Sequence, residues 1–486
     1  MSSVSAEEQL QRLRQKVADV LRVGAATGPT EGPSPVPSSM ALSREGELGQ
    51  RRAAARAAPS SSLAAGPQKF LPLAPASLAE AGLAEADVEA LVLKLLQKSR
   101  TATGSEISAQ LALPYHVIEK LLSKMKEHRL LVYKSSTTLH DYVYELTEHG
   151  SARAQDCAEQ CTYYGAAPVN LADYNAAVAA QSIHRLKVRP ADVRKAFGDL
   201  TLGDAMLHRV GRAVCSGQGL FLYGSPGNGK SCIAERITKA YGLSIWIPRT
   251  LNAYGEIIRL YDPSKHVALP LAQSEGMIGA EQIDQRWIRI QRPTIVVGGE
   301  MTMDSLEIHF EGQTGIGEAP LQLKSNCGTL VIDDFGRQRI SPAELLNRWI
   351  VPLEKHYDFL ALASGRKIQV PFDQFVIFST NLEPRDLVDE AFLRRIPYKI
   401  DVSDPTEDQL RQLFVSQATA ARMTFAAAEI DYIFASCYQQ TGRKMRFCHA
   451  RDLIHQVEIY CEYLGEAPHL SRAAIDAAAS NYFSMV

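Results

Sequence analysis

The residues best suited to chemistry form a glycine-rich stretch, GSPGNGKS, between an apolar run and a helical pattern. Glycines let consecutive backbone N–H groups close around phosphate oxygens, and the N-terminus of the following helix adds partial positive charge. Lys230 is long enough to reach the β- and γ-phosphates of a nucleotide, and the Ser231 hydroxyl can bind Mg²⁺. The predicted residues of this Walker A loop are Gly224, Ser225, Pro226, Gly227, Asn228, Gly229, Lys230, Ser231 and Cys232.

A second set of polar side chains follows two other apolar runs. The run GTLVI leads into Asp333 and Asp334, and the run FVIFST leads into Asn381. Uninterrupted apolar runs are typical of parallel strands buried on both faces, and ligands bind at the carboxyl ends of such strands. We therefore predict that Asp333 holds Mg²⁺ together with Ser231. Asp334 would orient and deprotonate the attacking water, and Asn381 would hydrogen-bond that water.

Length and composition indicate a multidomain protein without a dedicated nucleic-acid-binding charge, and the strand and helix patterns around the motifs above predict an α/β core. The chain has 486 residues, of which 46% are apolar, and 52 basic side chains nearly balance 54 acidic ones. Eight scattered cysteines fit reduced thiols better than a disulfide framework, and their spacing does not predict a zinc site. Neither a signal peptide nor a membrane span is predicted, so the expected location is the cytoplasm.

The elements that must position these residues lie in six predicted segments. An amphipathic helix is expected at 1–24, and a disordered linker rich in Ala, Pro, Ser and Gly at 25–68. A winged-helix-like domain at 69–155 and a connector at 156–189 come next. The nucleotide-binding core is expected at 190–403, with an insert near 270–320, and a helical lid at 404–486.

The N-terminal segment shows three helical patterns, at 85–97, 104–111 and 114–130, followed by the β-prone runs LLVYKS and DYVYELT. This order resembles a winged helix-turn-helix domain, whose third helix can enter a DNA major groove. Lys120, Lys124 and Lys126 favour DNA contact through residues 114–145. Glu119 and Glu127 on the same helix favour protein docking or a structural use instead, and the sequence leaves both open.

The order of these motifs is similar to that of the AAA+ superfamily of P-loop ATPases, from about residue 190 to the C-terminus. The resemblance implies ATP and Mg²⁺ as cofactors, a parallel-sheet core with a C-terminal helical lid, and a homo-oligomeric ring. It also implies that Asn381 is sensor 1, that Arg394 or Arg395 is an arginine finger acting on the neighbouring subunit's nucleotide, and that Arg451 is sensor 2.

Two features depart from the family pattern. The second acid of Walker B is Asp334, where the commoner residue is Glu, so the geometry of the attacking water could differ. The Walker motifs are also far apart, which requires extra structure between them. We expect an inserted β-hairpin formed by SLEIHF and APLQLKS, with a substrate-facing loop at 311–317.

Four functions fit these observations. The leading hypothesis is an ATPase that remodels an unidentified protein client, which the N-terminal module selects. The alternatives are a DNA-transaction ATPase or transcription regulator, a nucleotide-gated scaffold with little turnover, and a small-molecule kinase. Lys230, Asp333, Asp334 and Asn381 are all present, which argues against a scaffold. The helical tail with Arg451 argues against a kinase.

Overall fold

The computed structural model describes residues 70–484, apart from 138–140, 201, 271–282, 313 and 389. The amphipathic helix predicted at 1–24 and the linker predicted at 25–68 lie outside the described residues. The first described elements are α1 (Glu85–Ser99), β1 (Thr101–Thr103), α2 (Gly104–Leu111), α3 (Tyr115–Glu127), β2 (Leu131–Ser136), β3 (Tyr142–Leu146) and α4 (Glu148–Gln160).

The remaining elements follow in chain order. Those up to residue 297 are β4 (Val169–Asn170), α5 (Leu171–Gln181), α6 (Pro190–Ala196), α7 (Asp204–Ser216), β5 (Leu220–Tyr223), α8 (Lys230–Ile237), β6 (Ser244–Pro248), β7 (Thr250–Ala253), β8 (Glu256–Arg259), β9 (Trp287–Gln291) and β10 (Thr294–Val297). Those up to residue 401 are β11 (His309–Glu311), β12 (Ile316–Glu318), α9 (Leu321–Lys324), β13 (Thr329–Ile332), α10 (Pro342–Lys355), β14 (Tyr357–Ala361), β15 (Lys367–Pro371), β16 (Phe375–Ser379), α11 (Pro384–Leu387), α12 (Glu390–Leu393) and β17 (Tyr398–Asp401). The C-terminal helices are α13 (Glu407–Ala420), α14 (Ala427–Phe434), α15 (Phe447–Leu464) and α16 (Arg472–Phe483).

A five-stranded parallel sheet carries the candidate site, with the strand order β10-β13-β16-β5-β17. Every residue of β13 and β16 is buried, which accounts for their uninterrupted apolar sequences. Alternate side chains of β13 face opposite sides: Val331 packs with residues of α6, α7 and α8, and Leu330 packs with residues of α10. The sheet is covered on both faces, so the protein is mixed α/β.

A second β-rich region combines the strands between α8 and β10 with β4, which precedes α8, and with β11 and β12, which follow β10. Its main sheet has the order β11-β12-β8-β7-β4, and β6 pairs antiparallel with β9 beside it. The insert predicted near 270–320 therefore begins earlier, at Ser244, and Val296 and Val297 belong to the core strand β10. The position was predicted wrongly because a four-residue apolar run has no periodicity that separates a core strand from an inserted one.

The expected inserted hairpin exists, but it is shorter than predicted. The hairpin consists of the three-residue strands β11 and β12, and the APLQLKS run contains helix α9 rather than a strand. At the tip, the carbonyl oxygen of Thr314 accepts from the backbone N–H of Thr162 at 2.9 Å. A Cβ added to Gly315 would lie 2.5 Å from the carbonyl oxygen of Gln160. The loop predicted to face a substrate therefore contacts the chain itself at Thr314 and Gly315, while Glu311 and Gly312 are exposed, and its contact with a substrate stays a prediction.

The segment predicted as a connector at 156–189 is part of the second β-rich region. Strand β4 pairs in parallel with β7, and Tyr174 and Val178 of α5 are buried in the core of that region. The sequence missed this role because α5 is alanine-rich, so its buried face shows little contrast in hydropathy.

The N-terminal helices and strands form their own apolar cluster, and β1, β3 and β2 make an antiparallel sheet. Helix α2 begins at a capping box in which the Thr103 hydroxyl accepts from the backbone N–H of Glu106. The buried Asp141 carboxylate accepts from the N–H groups of Gly104 and Ser105, each at 2.9 Å, and so joins β3 to α2.

The C-terminal helices α13 to α16 pack around a separate apolar cluster that includes Phe414, Phe434 and Val457. Among the described residues, no helix combines the length and apolar character that crossing a membrane requires.

Candidate nucleotide site

Strand β5 places the glycine-rich loop at the carboxyl edge of the parallel sheet. Gly224, Gly227 and Gly229 have φ angles of +125°, +83° and +80°, a range that residues with a Cβ rarely adopt. Helix α8 begins at Lys230 directly after the loop, so the partial positive charge of its N-terminus lies there. Pro226 is exposed in the loop, and Cys232 is half-buried in the first turn of α8.

Lys230 lies inside the loop. Its Nζ donates to the carbonyl oxygens of Gly224 at 2.8 Å and Ser225 at 3.0 Å, and to Oδ1 of Asn381 at 2.7 Å. Burial lowers the pKa of Lys230, while the nearby carboxylates of the Walker B pair oppose that shift. The buried ammonium group is placed to exchange these neutral acceptors for phosphate oxygens.

The Ser231 hydroxyl and the Asp333 carboxylate lie next to each other at the end of the glycine-rich loop. Ser231 Oγ donates to Oδ2 of Asp333 at 2.7 Å. The backbone N–H of Asp333 donates to the carbonyl oxygen of Val297 at 2.8 Å. Such oxygens are the ligands that Mg²⁺ prefers. Within the described part of the chain, no cluster of three or more His, Cys, Asp or Glu side chains could hold a metal. A cation here would depend on phosphate and water for its other ligands, which suits Mg²⁺.

The second Walker B acid and Asn381 are also in contact. Asn381 Nδ2 donates to Oδ1 of Asp334 at 3.2 Å. Strand β16 lies between β5 and β13, so Asn381 reaches both Lys230 and Asp334. Asp334 is exposed and has a φ of +49°, an uncommon conformation that clusters at functional sites.

The C-terminal helices reach the glycine-rich loop, and Arg451 lies close enough to Cys232, in the first turn of α8, to interact with it electrostatically. The backbone N–H of Cys448, in the first turn of α15, donates to the carbonyl oxygen of Gly227 at 2.9 Å. Arg451 is 70% exposed, and its Nε donates to the adjacent Asp452 at 2.9 Å. The structure therefore places the C-terminal helices beside the glycine-rich loop, with the Arg451 side chain largely exposed.

Sequence reasoning missed Arg446, the residue immediately before α15. Its guanidinium forms an ion pair with Asp404, whose Oδ1 also accepts from Nδ2 of Asn228 in the loop at 2.8 Å. Its positive charge adds to the effect of burial in lowering the pKa of Lys230. A basic residue directly before a helix start was the signal that could have identified it.

The two candidate finger arginines lie far from the loop of their own chain. They precede β17, at the amino edge of the parallel sheet, whereas the loop follows β5 at the carboxyl edge. Arg395 Nε donates to Oε1 of Glu354 at 2.6 Å. The Arg394 side chain is exposed and makes no hydrogen bond or ion pair with any residue that the structure describes.

Residues 406–481 match a family described as a domain of unknown function, DUF8689. No curated protein matches the chain in sequence. Two solved structures of RuvB mutants from Thermotoga maritima are similar to the chain, each at 13% identity. One covers 63% of this chain and 74% of that chain with a TM-score of 0.33, and the other covers 62% and 73% with a TM-score of 0.31. TM-scores this low do not establish a common fold, so the description as mixed α/β with a parallel sheet rests on the strand pairing itself.

Proposed function

We propose that the chain is an Mg²⁺-dependent ATPase of the AAA+ type. The observation that carries the proposal is the convergence of five predicted side chains at one edge of a parallel sheet. Two sets of hydrogen bonds link them, from Lys230 through Asn381 to Asp334 and from Ser231 to Asp333. The glycine-rich loop and the N-terminus of α8 lie at the same edge, which is where α/β proteins bind phosphates.

Each side chain has a distinct role in this proposal. Lys230 donates to the β- and γ-phosphates, and Ser231 and Asp333 hold Mg²⁺, which when bound offsets negative charge on the phosphates. Asp334 accepts a proton from the attacking water, and Asn381 fixes the position of that water. The water oxygen forms a bond to the γ-phosphorus as the bond to the β–γ bridging oxygen breaks, giving ADP and phosphate.

We further propose that the working form is a ring in which an arginine of one subunit acts on the nucleotide of its neighbour. Arg394 suits this role better than Arg395, because Arg395 is held by Glu354 whereas Arg394 is exposed. A planar guanidinium matches phosphate oxygens and offsets charge in the transition state.

The N-terminal module would then select a protein client for remodelling. DNA binding through residues 114–145 is the second candidate, but basic side chains there are engaged within the module. Lys124 pairs with Glu85 at 2.6 Å, and Lys126 Nζ lies 3.6 Å from the centre of the Tyr133 ring. These contacts favour a protein partner. Duplex binding that falls steeply with salt would favour DNA.

Steady-state ATP turnover of the full chain tests the ATPase proposal. Wild type is compared with Lys230→Ala and Asp334→Asn, with Mg²⁺ or EDTA present, over a range of protein concentration. We expect turnover that requires Mg²⁺ and is lost in both variants. ATP binding without turnover, with or without duplex DNA, would contradict the proposal and favour a nucleotide-gated scaffold.

A further inference from the structure

The turn that carries the second Walker B acid has an uncommon backbone conformation. It covers residues 333–338, directly after β13. Asp334 has a φ of +49° and Gly336 a φ of +100°, both in the left-handed region. Glycine adopts this region readily, but a residue with a Cβ does so only where its surroundings hold it there. The position of the Asp334 carboxylate therefore depends on the contacts that hold this turn.

The side chain of Gln338 bonds the backbone of the turn at two points. Its Nε2 donates to the carbonyl oxygen of Asp333 at 2.7 Å, and its Oε1 accepts from the backbone N–H of Gly336 at 2.8 Å. The Asp333 carbonyl belongs to the planar peptide group before Asp334, so its direction sets the plane from which the φ of Asp334 is measured. The Gly336 N–H belongs to the peptide group after Phe335. Gln338 thus fixes the peptide groups on both sides of the Asp334–Phe335 pair.

Strand β16 holds the middle of the turn. The backbone N–H of Phe335 donates to the carbonyl oxygen of Ser379 at 2.7 Å. Oγ1 of Thr380 donates to the carbonyl oxygen of Phe335 at 2.9 Å. The next residue is Asn381, which donates to the Asp334 carboxylate. The turn and the Asn381 side chain are therefore held in one frame, with Gln338 closing the turn.

The peptide group before Asp334 is also held through its N–H, which donates to Oδ1 of Asp333 at 3.1 Å. That carboxylate is the proposed Mg²⁺ ligand, so its oxygens are shared with the cation when Mg²⁺ is bound. The neutral Gln338 amide holds the carbonyl side of the same peptide group with a hydrogen bond that does not draw on the Asp333 carboxylate.

We propose that Gln338 is a positioning residue for the hydrolysis proposed above, on which this inference rests. By fixing the peptide groups on both sides of the Asp334–Phe335 pair, it keeps the Asp334 carboxylate directed at the attacking water and in contact with Asn381. It acts through Asp334 rather than on a reacting atom.

ATP turnover and nucleotide titration of the full chain test this role. Wild type is compared with Gln338→Ala and Gln338→Glu. Gln181→Ala is the matched control, because the Gln181 amide contacts the backbone of another residue in the same way. It accepts from the N–H of Trp246 at 2.7 Å and donates to the carbonyl oxygen of Trp246 at 2.9 Å. Gln181 ends α5, in the second β-rich region.

Gln338→Ala should lower kcat about 10-fold, because the loss of a hydrogen bond of ordinary strength changes a rate by about this factor. The Kd for ATP and the Mg²⁺ concentration that gives half-maximal turnover should each change by less than about 2-fold. A purely structural role would loosen the whole turn, including Asp333, and would raise the Mg²⁺ requirement as well. Gln181→Ala should keep the wild-type kcat.

Gln338→Glu adds a second readout, because it keeps the size of the side chain and the acceptor for Gly336. While ionised, the new carboxylate has no proton to donate to the Asp333 carbonyl, but the protonated carboxyl group does. The kcat of this variant relative to wild type should therefore rise as the pH is lowered from about 8 to about 5. Thermal melting identifies a folding defect in Gln338→Ala, in which case the pH profile of Gln338→Glu decides.

The inference is overturned if Gln338→Ala keeps the wild-type kcat, or if the Mg²⁺ requirement or the Kd for ATP changes as much as kcat does. A ratio of Gln338→Glu to wild-type kcat that stays constant with pH also overturns it. In these cases wild-type turnover leaves the proposed ATPase function standing. Wild type without Mg²⁺-dependent turnover would overturn the proposed function and this inference together.

Discussion

Asn381 joins the two halves of the candidate site, because it accepts from Lys230 and donates to Asp334. If it positions the attacking water, Asn381→Ala should lower kcat by about 100-fold or more while the Kd for ATP changes little. Turnover and nucleotide titration measure the two effects separately. Asn252→Ala, at a turn of the second β-rich region, is the control and should leave both values unchanged. An equal loss of affinity would place Asn381 in nucleotide binding rather than in catalysis.

Arg446 and Arg451 can be distinguished by their effects on nucleotide affinity. Arg446 is near enough to Lys230 to affect its pKa, whereas Arg451 is largely exposed. Arg446→Ala should therefore raise the Kd for ATP by about 10-fold with a smaller effect on ADP. Arg451→Ala should change either value by less. Fluorescent-nucleotide competition measures these Kd values. A larger effect of Arg451→Ala than of Arg446→Ala would favour Arg451 as sensor 2.

At the scale of elements, the C-terminal helices contain a histidine that makes their packing sensitive to acid. Burial, reinforced by the positive charges of Arg446 and Arg443, lowers the pKa of His449 to about 4 from its usual 6.5. Its Nδ1 and the hydroxyl of Tyr438 are 3.1 Å apart, and its ring contacts Phe483. The neutral imidazole is therefore the form that fits the folded helices.

Stability should fall as the pH drops from about 6.5 to about 4, because the unfolded chain binds the His449 proton over this range and the folded chain does not. The loss is on the order of 2 kcal/mol. His449→Phe keeps the ring contacts and should flatten the dependence of the melting temperature on pH in this window. If the melting temperature of the variant depends on pH as strongly as that of wild type, other groups determine this dependence.

Arg286, which a buried ion pair with Asp284 holds in place, makes one of the contacts between the N-terminal module and the second β-rich region. Arg286 and Asp284 are each 4% exposed and pair at 2.7 Å. Arg286 also donates to the carbonyl oxygen of Ala81 at 2.9 Å. Arg286→Met leaves a buried carboxylate unpaired, which should cost about 3–5 kcal/mol and open the junction to limited proteolysis. Adding Asp284→Asn should recover part of the loss, and a double variant as sensitive as the single one would contradict this account.

For the whole molecule, the separation of the arginines from the loop predicts complementation between subunits. Lys230→Ala and Arg394→Ala should each be inactive alone. In a randomly mixed ring, about a quarter of the interfaces would combine an intact loop with an intact arginine, so mixing should restore turnover. Mixing Lys230→Ala with Asp334→Asn is the control. Both substitutions change the nucleotide site itself, so no interface in the mixed ring has an intact site and turnover should not recover. If mixing restores nothing in either case, the arginine does not act between subunits.

The sequence by itself determined the residues of the candidate site and the local elements that carry them. A glycine-rich loop between a strand and a helix, and acids directly after an apolar run, are local patterns. Their chemistry depends on neighbours within a few residues. The starts of α2 and α3 could be predicted for the same reason, because caps and prolines act locally.

Only the tertiary structure decided which distant segments meet. Strand order placed Asn381 between the two Walker strands, and the packing of the C-terminal helices brought Arg446 close enough to Lys230 to affect its pKa. It also assigned α5 to the second β-rich region. Periodicity shows which face of an element is buried, but it does not identify the element that covers that face, because pairing across a sheet joins residues far apart in the chain.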